Sequence, residues 1–152
     1  MTRWTTAALL TALALTGLTA CSDGDSPSSV ASKVASAASR AGDAVASATA
    51  EAGRRFDDIK NGVDAKDDVR VGAPVTASDG RTTVGVTAAN SAASAKSFAV
   101  QVDFTDGTGK LLDAVVVTVP HVPAGGTGKG TARSTHHLSG DVRAKVSRAV
   151  RY

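Results

Sequence analysis

The chain has 152 residues and a formal net charge of +3, and 42% of its residues are hydrophobic although only 3% are aromatic. This length fits one small domain with appendages, and apolar residues that are mostly Ala and Val can bury only a small core. The shortage of aromatic rings argues against sites that bind nucleic acid or sugars by stacking. Residues 21–72 hold seven basic and nine acidic residues, whereas residues 73–152 hold nine basic and five acidic residues. The distal part is therefore basic, and the part before it is acidic.

Residues 1–20 have the three-part layout of a secretory signal peptide. Arg3 supplies a positive start, residues 5–18 are uncharged, and two small residues precede Cys21. The apolar part is shorter than the ~20 residues that a helix needs to span a bilayer. The sequence therefore predicts an export signal that is removed, and not a lasting membrane helix.

The four residues Leu18-Thr19-Ala20-Cys21 resemble the lipobox of bacterial lipoproteins. The resemblance implies that the Cys21 thiol receives diacylglycerol and that cleavage just before Cys21 makes it the first residue of the exported protein. Cys21 is the only cysteine, so it has no partner for an internal disulfide, and an ordinary free thiol is the alternative. Two acyl chains are sufficient for stable anchoring. We therefore expect a protein that is lipid-anchored in the bacterial cell membrane, on the extracytoplasmic face.

Residues 21–29 are polar and rich in turn formers, which predicts a flexible tether, and residues 30–70 form an Ala/Ser-rich stem. Pro27 directly after Ser26 is typical of a helix start. Apolar or small residues then recur at nearly helical spacing, at Val30, Val34, Ala38, Ala41, Val45, Ala48, Ala52, Phe56, Ile59 and Val63. Three interpretations stay open: a spacer that is helical in part, an amphipathic helix that lies on the membrane or on another helix, and a disordered segment.

From about residue 71 to residue 152 the hydrophobic period changes to two, which is typical of half-buried strands. Val84, Val86 and Ala88 alternate with polar or small residues, and the segment 98–104 alternates in the same way. Turn formers separate these runs. About six or seven short strands without a helix predict a mainly β domain over residues 71–152, a small immunoglobulin-like antiparallel β-sandwich.

The same segment resembles the FxLYD-type immunoglobulin-like domains of secreted bacterial lipoproteins. The resemblance rests on Asn90-Ser91 at a strand end, on Phe98-x-Val100-x-Val102-x-Phe104-x-Asp106 and on Pro123-x-Gly125. It covers roughly the last 80 residues of the chain. It implies a β-sandwich and assigns no catalytic residue.

The residues that could support catalysis or metal binding lie in patterns that predict neither. The histidines have no Cys or carboxylate at ligand spacing beside them; they are His121, His136 and His137. The aspartates near a Gly-rich turn do not match a calcium loop; they are Asp103, Asp106 and Asp113. The segment 125–130 lacks the Gly-Lys-Ser/Thr ending of a phosphate loop, and Ser134 lacks the surroundings of a nucleophile. We therefore expect no catalytic residue, no metal and no cofactor.

Basic residues near the end of the chain are the candidate interaction surface. By the period-two count Arg143, Lys145 and Arg151 lie on the outward side of the last strand, and Lys129 and Arg133 are expected nearby. Such a stripe is either a solvated face or a surface that attracts anionic lipid head groups, wall polymers or an acidic protein.

Together these features predict a lipid-anchored extracytoplasmic lipoprotein that presents a non-catalytic β-sandwich interaction domain at the cell envelope. Its expected partners are the membrane, through Cys21, and an envelope protein or anionic envelope polymer; nucleic acid is not expected. The alternative is a structural membrane-associated protein in which the amphipathic stem helix is the active element.

Overall fold

The computed structural model describes residues 27–152, with side chains from residue 35 onward. The predicted signal peptide, Cys21 and the beginning of the tether lie outside the described residues. One helix, α1 (Pro27–Asp57), is followed by eight strands, with a short 3-10 turn (Lys66–Asp68) between the first two. The strands are β1 (Val63–Asp64), β2 (Val69–Val71), β3 (Val75–Thr76), β4 (Thr82–Ala89), β5 (Lys96–Thr105), β6 (Leu111–Val122), β7 (Thr127–Arg133) and β8 (Arg143–Arg151).

The strands form two antiparallel sheets that pack face to face. The first sheet has the order β1-β8-β5-β6. In the second sheet β4 is central, with β7 on one side and with β2 and β3 in succession along the other. The mainly β sandwich predicted from the sequence is confirmed. Its first strand begins at Val63, ahead of residue 71, because β1 and β2 are too short to show a period of two.

Alternating side chains from both sheets fill the core. On β4 the residues Val84, Val86 and Ala88 point inward and are buried, as their spacing predicts. On β5 the rings of Phe98 and Phe104 are completely buried and are the largest side chains of the core. Since the other core residues are mostly Val and Ala, each contributes a small apolar area, and the stability of the sandwich depends on close packing.

Helix α1 packs along β6 on the outer face of the first sheet. Its side chain Phe56 is only 3% exposed and lies in a second apolar cluster with Ala99 and Val150. The guanidinium carbon of Arg148 lies 4.4 Å from the centre of the Phe56 ring, within the range of a cation–π contact. The stem predicted over residues 30–70 is helical as far as Asp57, whereas its last part forms β1, the 3-10 turn and the start of β2 in the sandwich. The apolar side of the second half of the helix contacts the sandwich.

Two glycines of β7 allow the edges of the two sheets to approach each other. A Cβ atom on Gly128 would lie 2.6 Å from methyl carbons of Val119 and Val122, and one on Gly130 would lie 2.8 Å from Val117. These distances are shorter than carbon atoms tolerate, so a side chain at either position would force the sheets apart. The Gly-rich segment therefore serves the packing of the sandwich.

We expect the substitution Gly128→Ala to destabilise the protein by about 1–3 kcal/mol, which is typical of overpacking a close-packed core. Urea unfolding of the exported form with Cys21 replaced by serine measures this loss. Gly85→Ala is the matched control, because Gly85 lies on β4 of the same sheet and an added Cβ there meets no atom within 4 Å. Equal unfolding midpoints for the two variants would contradict the packing argument.

Candidate functional site

The five basic residues predicted as an interaction surface lie on two different sheets. Lys129 and Arg133 belong to β7 of the second sheet, whereas Arg143, Lys145 and Arg151 belong to β8 of the first. The two sheets pack face to face, so their outer surfaces point in opposite directions. The predicted residues therefore do not form a single stripe.

A β-bulge at Ser147 changes the alternation along β8. Val146 pairs with Val102 of β5, but Arg148 pairs with the adjacent residue Gln101, so Ser147 is an extra residue in β8. An extra residue exchanges the inward and outward positions beyond it. Arg148 therefore points outward, although strict alternation from Lys145 would turn it inward.

The bulge also gives Arg151 a structural role. Arg151 pairs with Phe98, whose ring is in the core, so it lies on the inner side of the sheet at the end of the sandwich. Its guanidinium donates to Ser91 at 2.7 Å and to the Asp68 carboxylate at 3.3 Å, and its side chain is 18% exposed. Arg151 therefore joins two loops of the sandwich.

On the second sheet the two cations differ in their surroundings. Arg133 forms an ion pair with Asp79. The backbone N–H of Arg81, together with Arg133, holds the pKa of the Asp79 carboxyl below its usual range. Lys129 is exposed on β7. An exposed ion pair contributes little to stability, and a single lysine is not an organised surface.

The outer side of β8 carries three exposed cations, Arg143, Lys145 and Arg148, which we call the basic face. Their neighbours on β5 are Thr105, Asp103 and Gln101. The Asp103 carboxylate is 8% exposed and accepts a hydrogen bond from the Gln101 amide at 2.9 Å, so it is shielded from solvent. The face therefore presents positive charge.

Each cation of the basic face has a different contact. Arg143 lies 3.3 Å from the exposed Asp141 carboxylate, and Arg148 covers the Phe56 ring at the end of the helix. Lys145 has no ion pair among the residues that the structure describes. Lys145 is therefore the most open of the three to an anionic partner, and the exposed Asp141 carboxylate offsets part of the charge of Arg143.

A buried polar cluster, which sequence analysis did not identify, lies near the start of β6. The fully buried carboxylate of Asp113 accepts the backbone N–H of Thr135 at 2.6 Å and that of Ala114 at 2.9 Å. The imidazole Nδ1 of His136 lies 3.1 Å from the Thr135 hydroxyl and 3.8 Å from the Asp113 carboxylate. The cluster joins residues 22 positions apart, so no local motif could indicate it.

The other polar residues considered from the sequence have structural partners. The Ser134 hydroxyl donates to the carbonyl of His136 at 2.7 Å and accepts the N–H of Thr82 at 3.0 Å. The hydroxyl and backbone N–H of Thr108 donate to Asp106 and hold the pKa of its carboxyl below the usual range. Within the described part of the chain no three His, Cys, Asp or Glu side chains converge to hold a metal ion.

Comparison of the chain with family models, with curated proteins and with solved structures gives no match. The assignment of a function therefore depends on the geometry of the chain itself. Within residues 27–152 no helix is long and apolar enough to cross a membrane. The arrangement of charges on β8 is suited to binding an anionic surface or polymer.

Proposed function

We propose that this chain is a lipid-anchored, extracytoplasmic lipoprotein whose β-sandwich binds an anionic envelope polymer through the basic face. The observation that carries this proposal is the row of exposed cations at Arg143, Lys145 and Arg148 on one strand. Arg143 and Lys145 are alternate residues of a strand, which are ~7 Å apart, and Arg148 follows beyond the bulge, so a flexible polymer can contact the three cations in succession. No covalent chemistry is assigned to the domain.

The direction of α1 supports a polymer in preference to the head groups of the protein's own membrane. The lipobox cysteine precedes Pro27 by six residues. Eleven residues separate Pro27 from Ala38, the first helix residue that lines the groove against the sandwich, and this length of helix extends ~17 Å. Attraction to charged head groups decays over about 8 Å at physiological salt. A sandwich held away from the membrane by α1 therefore places its cations among envelope polymers.

The docking of α1 also favours this proposal over the alternative in which the helix itself acts on membranes. Phe56 and Ile59 are the bulky apolar residues near the end of the helix, and both pack against the sheet. Binding of a helix at a membrane surface requires a free apolar face with bulky residues. The rest of the apolar side is mainly Ala and Val, so little apolar area is left for insertion.

Binding to a soluble phosphodiester polymer, poly(glycerol phosphate), tests the proposal. We expect the exported form with Cys21→Ser to bind at low salt. Its affinity should fall steeply as the salt concentration rises, because polyanion binding releases counterions. The double variant Arg143→Gln, Lys145→Gln is expected to bind at least tenfold more weakly. The matched control, Lys96→Gln with Lys129→Gln, removes the same charge away from the basic face and should retain the affinity.

Equal weakening in both double variants would show that only net charge matters and would reject a specific basic face.

The anchor is tested separately by cell fractionation. The native chain should be found with the membrane, and the Cys21→Ser form should leave it. A Cys21→Ser form that stays with the membrane would reject lipid anchoring through Cys21. It would not affect the result of the polymer-binding test.

A further inference from the structure

An apolar groove lies between the first half of α1 and the adjacent end of the sandwich, where Thr105 of β5 separates Leu111 of the groove from Arg143 of the basic face. Its volume is about 420 Å³. Ala41, Gly42 and Val45 form its helical wall, and Leu111, Leu112 and Leu138 form the wall on the sandwich. Small-molecule sites typically have volumes of about 300–1,000 Å³ and are mostly apolar. The groove has the size and the lining of a ligand site.

The groove stays open because the helix presents small residues there. A Cβ atom on Gly42 would meet no atom within 4 Å, and Ala41 carries only a methyl group. Further along the helix, Phe56 fills the equivalent space against the sheet. The gap is therefore a consequence of residue size at two helix positions, and a larger side chain at either one would close it.

The sandwich side of the groove carries basic groups and no carboxylate. Lys110, His136 and His137 line it together with the leucines, and no Asp or Glu is among the lining residues in the described part of the chain. Hydrogen bonds hold this loop in place, since the His136 carbonyl accepts the Ser134 hydroxyl and the Leu138 N–H donates to the Gly80 carbonyl. The backbone that carries the two histidines therefore has a fixed position beside the apolar walls.

We propose that the groove binds a free fatty acid, with its alkyl chain between the helix and the leucines and its carboxylate beside Lys110 and the two histidines. Charge complementarity favours an anionic head beside Lys110, since no carboxylate lines the groove and the Asp113 carboxylate behind His136 is buried and already accepts the Thr135 N–H. The groove is a single cleft of about 420 Å³ between two elements, which suits one alkyl chain better than the two chains of a diacyl lipid. This proposal depends neither on the anchor nor on the basic face.

Titration of the exported chain with saturated fatty acids by isothermal calorimetry tests this site. We expect saturable 1:1 binding of dodecanoate, and an affinity that rises up to about fourfold per added methylene from eight to twelve carbons. Dodecanol, which has the same chain without the charge, should bind at least fivefold more weakly. The Lys110→Gln variant should remove most of that preference, because it removes the nearest permanent cation.

Two leucine substitutions on the same helix separate the groove from the rest of the surface. Ala41→Leu fills the groove and should weaken dodecanoate binding at least tenfold without loss of helicity. Ala46→Leu is the matched control, because Ala46 is exposed and is not part of the groove. Absence of saturable binding, equal affinity in the two variants, or binding to phospholipid vesicles but not to dodecanoate would each overturn the proposal.

Discussion

Replacing Asn90 with aspartate is expected to destabilise the sandwich by about 4 kcal/mol, because it places an unpaired charge in the interior. The Asn90 side chain is 1% exposed. Its amide nitrogen donates to the carbonyls of Ser94 at 2.8 Å, Val122 at 2.9 Å and Pro123 at 3.2 Å. A carboxylate has the same shape but donates no hydrogen bond, so it would face three carbonyl oxygens.

The backbone of Asn90 adds to this role. Its N–H donates to the Gly126 carbonyl at 2.8 Å, and its carbonyl accepts the Gly125 N–H at 2.9 Å. The residue therefore joins the end of β4 to the turn between β6 and β7. Urea unfolding of the Cys21→Ser form measures the loss, and Asn90→Ala, which removes the donors without adding charge, should cost about 2 kcal/mol. A smaller loss for aspartate than for alanine would refute this interpretation.

Truncating Phe56 to alanine is expected to detach the end of α1 from the sheet. The free energy with which the helix packs on the sheet should become less favourable by about 3 kcal/mol. The ring packs against Ala99, Val150, Ile59 and Val116, and among the described residues no other aromatic side chain belongs to this cluster. The remaining contacts are made mainly by alanines, which bury little area. Hydrogen exchange of the α1 backbone amides should therefore rise strongly, while the amides of β5 stay protected.

The control for Phe56 is Arg148→Met, which keeps the apolar stem above the ring but removes the cation. The cation–π contact is partly exposed and is expected to contribute less than about 1 kcal/mol. Unchanged amide protection of the helix in Phe56→Ala would mean that its alanines hold it to the sheet.

Much of the sandwich could be predicted because its long strands alternate strictly. Val84, Val86 and Ala88 on β4, and Phe98 and Phe104 on β5, point into the core as their spacing indicates. The strands β1 and β2 were not predicted, because two or three residues are too few to show an alternating pattern. Their positions are set by pairing with β8 and β4, whose residues are distant from them in the sequence.

The candidate site was predicted less well, for two physical reasons. A single extra residue at Ser147 reverses the sides of β8 beyond it, and nothing in the local sequence marks a bulge at this position. The groove depends on contact between α1 and the segment around Leu138, which the alanine-rich helix pattern alone could not locate. Sequence analysis therefore identified Arg143 and Lys145 correctly as outward, missed Arg148, and placed Arg151 on the wrong side.

The short length of β1 has a consequence for assembly. β1 pairs only with Val150 and Arg151, so residues 143–148 of β8 have no backbone partner on that side in the described part of the chain. An unpaired strand edge can accept a strand from a second molecule and start aggregation. Charged side chains on such an edge oppose this addition, because two identical copies would place like charges together. The cations of β8 would thus keep neighbouring copies separate on a crowded surface, in addition to any partner they bind.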